Sequence, residues 1–299
     1  MNTAFTPLPA DLAPLAPGLY LDLPAHRYHE DPCATPSLSS GDIRKLDTKP
    51  PAHVPLENTR LGGKRSEPTK EMIQGAYVHA LLGGGLDEFA VLEYDNYASK
   101  AAQGARDAAK EKGFTPILRN AVDHCERIAK AVREKAAAGL SVDLFGPSTH
   151  SEVTAIWEES GVLCRARFDK LVIDEGYFVD VWDWKVTGDI SHEAIMRTII
   201  DKGYHIQADH YLSGLTSVRP QYRGMCNYIL GFVENDEPFG VQRVTLSEGF
   251  LSVAAERRRR AMRTWKECLS SGVWPDNAGD TLCLTPPAWY LHKTEEAAA

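Results

Sequence analysis

The sequence has no Cys-x-x-Cys pair, no long apolar run, no G-x-x-x-x-G-K-[ST] loop and no surplus of positive charge. Its six cysteines, Cys33, Cys125, Cys164, Cys226, Cys268 and Cys283, are scattered, which excludes a zinc knuckle or a disulfide framework and fits a reducing compartment. No stretch approaches the roughly 18 apolar residues of a membrane-spanning helix, so no membrane partner is expected. The N-terminal stretch carries no Lys or Arg before Arg27 and four prolines in its first eighteen positions. It reads as neither a secretory nor a transit peptide but as a flexible arm over residues 1–20, in a cytoplasmic protein. Without a phosphate-cradling glycine loop, no ATP chemistry is expected. The net charge of -8, from 33 Lys and Arg against 41 Asp and Glu, excludes global attraction to a polyanion. It leaves local basic patches free to bind one.

What is present concentrates in CRARFDKLVIDEGYFVDVWDWKVT, Cys164 to Thr187. The segment reads as two strands turning at Asp174-Glu175-Gly176, with Asp169 on the first and Asp183-Trp184-Lys185 on the second. Side chains alternate across a strand, so Asp183 and Lys185 share a face with Val179 and Val181, while Trp182 and Trp184 lie opposite. Charges alternating along a strand are by default a solvated face. Large apolar groups on both faces instead mark a central strand, where buried charges need partners. The hairpin brings Asp169 toward Asp183, and two such carboxylates repel unless a hard cation such as Mg²⁺ lies between them. On that reading, removing Asp183 leaves the metal-free fold no less stable.

Around this hairpin the periodicity predicts helices over residues 37–47, Thr115 to Gly139, from about Ser191, through Gln207, and from Ser247 toward Gly272. Residues 50–70 read as a loop, and strands are expected near Tyr222 to Val233 and Gly240 to Leu246. The order of elements gives a mixed α/β (α+β) class: a central mixed sheet flanked by helices.

Several side chains are candidates with two readings each. His79, in the apolar helical run MIQGAYVHALLGG, is either a core histidine or a ligand. Gln207 and Tyr211 share a helix face, as a surface pair or as a bridge between Lys185 and a phosphate. Glu152, on a strand before the hairpin, is a third acidic ligand or a support for one. Arg167 shares the Asp169 face and meets a phosphate or a carboxylate. Arg257, Arg259 and Arg260 lie off the apolar stripe of their helix, as a solvated face, a DNA-backbone contact or a subunit contact.

The hairpin resembles the core of the PD-(D/E)XK nuclease superfamily, and the chain is similar over roughly residues 20 to 290 to the RecE-type exonucleases (exonuclease VIII) of phage and prophage recombination. Other segments fit in order: Pro36 to Ser40, Gly75 to Leu82, Glu152 with Trp157 and Gly161, Gly203 to Gln207 with Tyr211, Trp274-Pro275, and Pro286 to Trp289. In one departure Val186 stands between Lys185 and Thr187, where the family has threonine directly after the lysine. The resemblance implies one nuclease domain with helical elaborations over 21–290, a tail at 291–299, and a restriction-endonuclease-like sheet. It makes Asp169 and Asp183 metal ligands, with His79 and Glu152 beside them, and Lys185 the catalytic lysine supported by Gln207 and Tyr211. The implied cofactor is Mg²⁺, with Mn²⁺ as substitute and no iron–sulfur cluster. The implied activity is 5′ to 3′ resection of one strand at double-stranded DNA ends, in a tetrameric ring, in a bacterial or phage-infected cell. The 3′ tail would pass to a single-strand annealing protein. The alternatives are a catalytically inactive DNA-binding or assembly protein on this scaffold, and an endonuclease of the same chemistry.

Overall fold

Runs rich in Val, Ile and aromatic residues build the central strands, and Ser or Thr caps open most of the long helices. The computed structural model describes residues 5–9, 14–136, 138, 140, 143–146, 149–173, 178–276, 281 and 283–288. In chain order these form β1 (Gly18–Tyr20), α1 (Ala25–His29), α2 (Ser40–Thr48), α3 (His53–Glu57), α4 (Lys70–Gly83), β2 (Phe89–Leu92), α5 (Lys100–Glu111), β3 (Thr115–Leu118) and α6 (Arg119–Lys135). There follow β4 (Thr149–Glu159), β5 (Val162–Ile173), β6 (Val179–Thr187), α7 (His192–Lys202), α8 (Tyr204–Val218), β7 (Cys226–Glu234), β8 (Val241–Thr245) and α9 (Glu248–Ser271).

The main sheet runs β1-β4-β5-β6-β7-β8 and is mixed. Only β6 and β7 pair in parallel within it, because α7 and α8 intervene and carry the chain back to the starting end. One face packs against α2, α8 and α9 through Leu38, Ile43, Phe168, Leu215 and Trp265. The other packs against α4 and α6 through Val78, Val122, Ile128, Trp182 and Trp184. This is the mixed α/β class expected, with β6 buried on both faces. Ser39, Thr69, Ser99, Ser191 and Ser247 each accept a backbone N–H as an N-cap. No helix among the described residues is long and apolar enough to cross a membrane.

Three expectations need correction. The end of the supposed arm is strand β1, which pairs with Thr154 to Ile156 and buries Leu19 and Tyr20, because its apolar residues complete the sheet edge. The helix expected from Thr115 begins only at Arg119, since Thr115–Leu118 extends beside β2 as a parallel strand. The supposed loop at 50–70 holds α3 and a 3₁₀ turn at Thr59–Leu61. The hairpin turn at Asp174 to Gly176, Gly139, Trp289 and the tail 291–299 lie outside the described residues.

Candidate active site

The pairing of β5 with β6 proceeds from Ile173↔Val179 to Lys170↔Trp182. Beyond that pair the Trp184 N–H donates to the Asp169 carboxylate, Oδ2, at 2.7 Å. The strands therefore separate where Asp169 and Asp183 stand, and the side chain of one replaces a ladder acceptor for the other. On the neighbouring strand β4, Ser151 pairs with Lys170 and Val153 with Phe168, while Glu152 between them has φ +53°. A non-glycine residue in the left-handed region is strained, and such strain persists where the surroundings enforce it. Gly83, in the last turn of α4, lies against this kink, and a Cβ there would come within 3.1 Å of the Ser151 side chain.

α4 brings His79 over the gap. Its Nδ1 lies 3.2 Å from Asp169 Oδ2, and His79, Glu152 and Asp169 each offer a ligand atom within 4.8 Å of the others. The donor set of one imidazole and two carboxylates fits a divalent cation. The oxygens suit Mg²⁺ or Mn²⁺, and the nitrogen favours Mn²⁺ of the two. Asp183, expected as a ligand, is turned elsewhere: its Oδ2 is 2.5 Å from Lys185 Nζ and its Oδ1 accepts from Gln207 Nε2 at 3.0 Å. Lys185 counters the repulsion between Asp183 and Asp169, so removing Asp183 also leaves a buried ammonium without its counter-ion.

Gln207, near the start of α8, also accepts from Lys185 Nζ through Oε1 at 3.3 Å. It thus clasps both members of the pair, and reaches the Lys185 side of the bridge expected of it. Tyr211, one turn on, packs edge-on against Phe168 and Tyr228 behind Gln207. Arg167 takes the carboxylate option, with its Nε 2.7 Å from Glu152 Oε2. Arg257 and Arg260, expected as a solvated face or as a DNA or subunit contact, grip the buried carboxylate of Asp47 on α2, at 2.9 Å from Oδ1 in each case. Their helix packs against α2, so an acid with no access to water recruits them. Arg258 is buried between Glu159 and Asp209, and Arg259 is exposed.

Electrostatics follow from this crowding. Burial works to lower His79, but the charge and hydrogen bond of Asp169, with Glu152 behind it, raise it to about 9. Burial and Asp169 lift Glu152 to about 7 against Arg167 and His79. Burial lifts Asp183 to about 6, restrained by Lys185. Burial opposes the charged form of Lys185, yet Asp183 outweighs it and the ammonium is held above its ordinary value. The cleft in front, about 330 Å³, is lined by Tyr28 and His29 of α1, Ala76 and His79 of α4, and Glu88.

Two aromatic residues were missed. Tyr204 lies with its ring centroid 4.3 Å from Lys185 Nζ. Tyr228 of β7 is buried beside Tyr211. The signal for Tyr204 was its spacing, three residues before Gln207 on one helix.

A family model described as a PDDEXK-like domain of unknown function (DUF3799) matches residues 48–285. No curated protein sequence matches the chain. A crystal structure of a Eubacterium rectale protein, provisionally named an exonuclease, superimposes with a TM-score of 0.61 at 16% identity, over 92% of this chain and 98% of that one. At that identity the likeness speaks for the fold alone. A second crystal structure, of SSO0001, reaches a TM-score of 0.26 at 14% identity over 69% of this chain and 95% of that one, too low to carry an argument.

Proposed function

The chain belongs to the family of PDDEXK-like domains of unknown function, and we propose that it is a divalent-metal-dependent deoxyribonuclease that resects one strand of linear duplex DNA, 5′ to 3′, to leave a 3′ tail. The observation that carries this reading is the convergence of His79, Glu152 and Asp169 within 4.8 Å, next to the buried Asp183–Lys185 pair. His79, Glu152 and Asp169 would hold Mg²⁺ or Mn²⁺, whose charge makes phosphorus more electrophilic and a nearby water easier to deprotonate.

The chain's own groups do the rest. Lys185 has three N–H donors, and Asp183 and Gln207 engage two, which leaves one for a water or for a phosphate oxygen as negative charge develops. Asp183 keeps that amine an ammonium, and Gln207 fixes its direction. Arg167 neutralises Glu152 in the resting state and can turn to a phosphate once a cation takes over that carboxylate.

The expectation of a free end comes from the resemblance to RecE-type exonucleases. The 3′ tail produced is the kind of strand a single-strand annealing protein takes up.

The test is incubation with end-labelled linear duplex and with covalently closed circles, with and without Mg²⁺. Metal-dependent shortening of the linear DNA alone supports the reading. Cutting of circles makes the protein an endonuclease, and binding without cleavage makes it an inactive DNA-binding scaffold.

A further inference from the structure

Lys185 needs more than Asp183 and Gln207 to stay in place. Its four-carbon stem is flexible, and Asp169 stands nearby as a competing partner. Two hydrogen bonds leave the ammonium free to turn about them, and in the structure an aromatic ring lies against it.

Resting on the nuclease reading above, we propose that Tyr204 is a positioning residue for Lys185, acting through the face of its ring. The Nζ atom is 4.3 Å from the ring centroid, well inside the roughly 6 Å over which a cation is attracted to an aromatic face. The fold sets this contact from three sides. Lys185 and Phe232 are register partners on the parallel strands β6 and β7. Tyr204 packs on Phe232 with ring centroids 6.3 Å apart, so the ring spans both neighbours. Tyr204 is also the first residue of α8, and it follows Gly203, whose φ of +68° ends α7 and starts α8 without a spacer. One turn later the same helix delivers Gln207 to the same ammonium. A single rigid element thus presents an acceptor and a ring to one cation, while β6 supplies its counter-ion.

The hydroxyl is not needed for this role. What matters is a π face, which phenylalanine retains and leucine or methionine lacks. Losing it frees Lys185 to swing away from the atom it serves in the reaction.

The experiment uses the full chain and linear end-labelled duplex. Tyr204→Phe is expected within about twofold of wild-type kcat, whereas Tyr204→Leu and Tyr204→Met lose roughly tenfold in kcat, the scale of one cation–π contact. KM for the DNA stays unchanged while kcat falls. Having two apolar replacements guards against one that folds badly. Independently of cleavage, the ring current of Tyr204 should shift the Lys185 ε-methylene protons upfield in NMR spectra of the wild type and the Phe variant, but not of the Leu variant. Wild-type kcat in both apolar variants, or a Phe variant as slow as the Leu one, overturns the proposal. Absence of any wild-type cleavage instead overturns the nuclease reading, and the NMR shift then still decides whether the ring holds the lysine.

Discussion

Asp183 and Lys185 can each be buried because the other is there, with side chains only 3% and 14% exposed. Asp183→Ala therefore strands an ammonium, and the expected cost is about 3 kcal/mol in urea unfolding, as for other broken buried pairs. Replacing both, Asp183→Ala with Lys185→Met, recovers part of that loss. Cleavage disappears in all of these and in Lys185→Ala, and retained activity in Lys185→Ala would remove the lysine from the mechanism. His79 offers a second check. Its pKa near 9 means that a cation must displace a proton from it below that pH. Apparent Mn²⁺ affinity should thus rise about tenfold per pH unit from 7 toward 9 and then level off. His79→Ala should bind Mn²⁺ more weakly and lose this slope between pH 7 and 9. Calorimetry showing equal affinity in that variant would return His79 to a core role.

At the level of elements, β6 and α9 were legible because their signals are local: alternation with apolar groups on both faces in one, Ser247 and Gly272 at the ends of an apolar stripe in the other. β3 was not, since its Pro116 argues against a strand and the helical period of α6 runs back into it. The kink at Glu152 had no signal, as nothing local requires a glutamate at positive φ. The pairing of Arg257 with Asp47 had no local signal, because 210 residues separate them. Of the site, the acids, the lysine and Gln207 could be read from the chain, whereas the turning of Asp183 away from the metal trio could not. The close approach of β7 to β6 is equally non-local. Gly231 is the register partner of Trp184, and a Cβ there would fall 2.3 Å from the indole. Gly231→Ala should therefore cost about 1–3 kcal/mol, seen as a lower Tm, and should depress cleavage by displacing the strand that carries Lys185. Adding Trp184→Leu should restore much of the Tm. An unaltered Tm in the single variant would show that the sheet yields more easily than its packing implies.

At the scale of the molecule, one group sets an acid limit. His210 is fully buried against Trp157, and burial together with Arg258 depresses it to about 3. The unfolded chain takes up a proton near pH 6.5 but the native one does not, so stability is complete above that pH and is lost progressively down to about 3. Between pH 7 and pH 5 this one group should remove about 2 kcal/mol, and His210→Phe should flatten the dependence of urea unfolding on pH. The net charge of -8 bears on DNA instead. Arg257 and Arg260 pair with Asp47, and Arg259 and Arg260 are the exposed members of that basic set, open to a phosphate or a neighbouring subunit. Long-range attraction is then weak, and capture must come from the site and from enclosure of the substrate. On the proposed function, the resemblance to RecE-type exonucleases implies that enclosure would come from a tetrameric ring that threads duplex DNA. Light scattering should accordingly give a mass near four times 33.0 kDa, and single-turnover digestion should proceed from the 5′ end through long tracts without release. A monomer that cuts distributively would contradict the ring and place the basis of binding on an open surface.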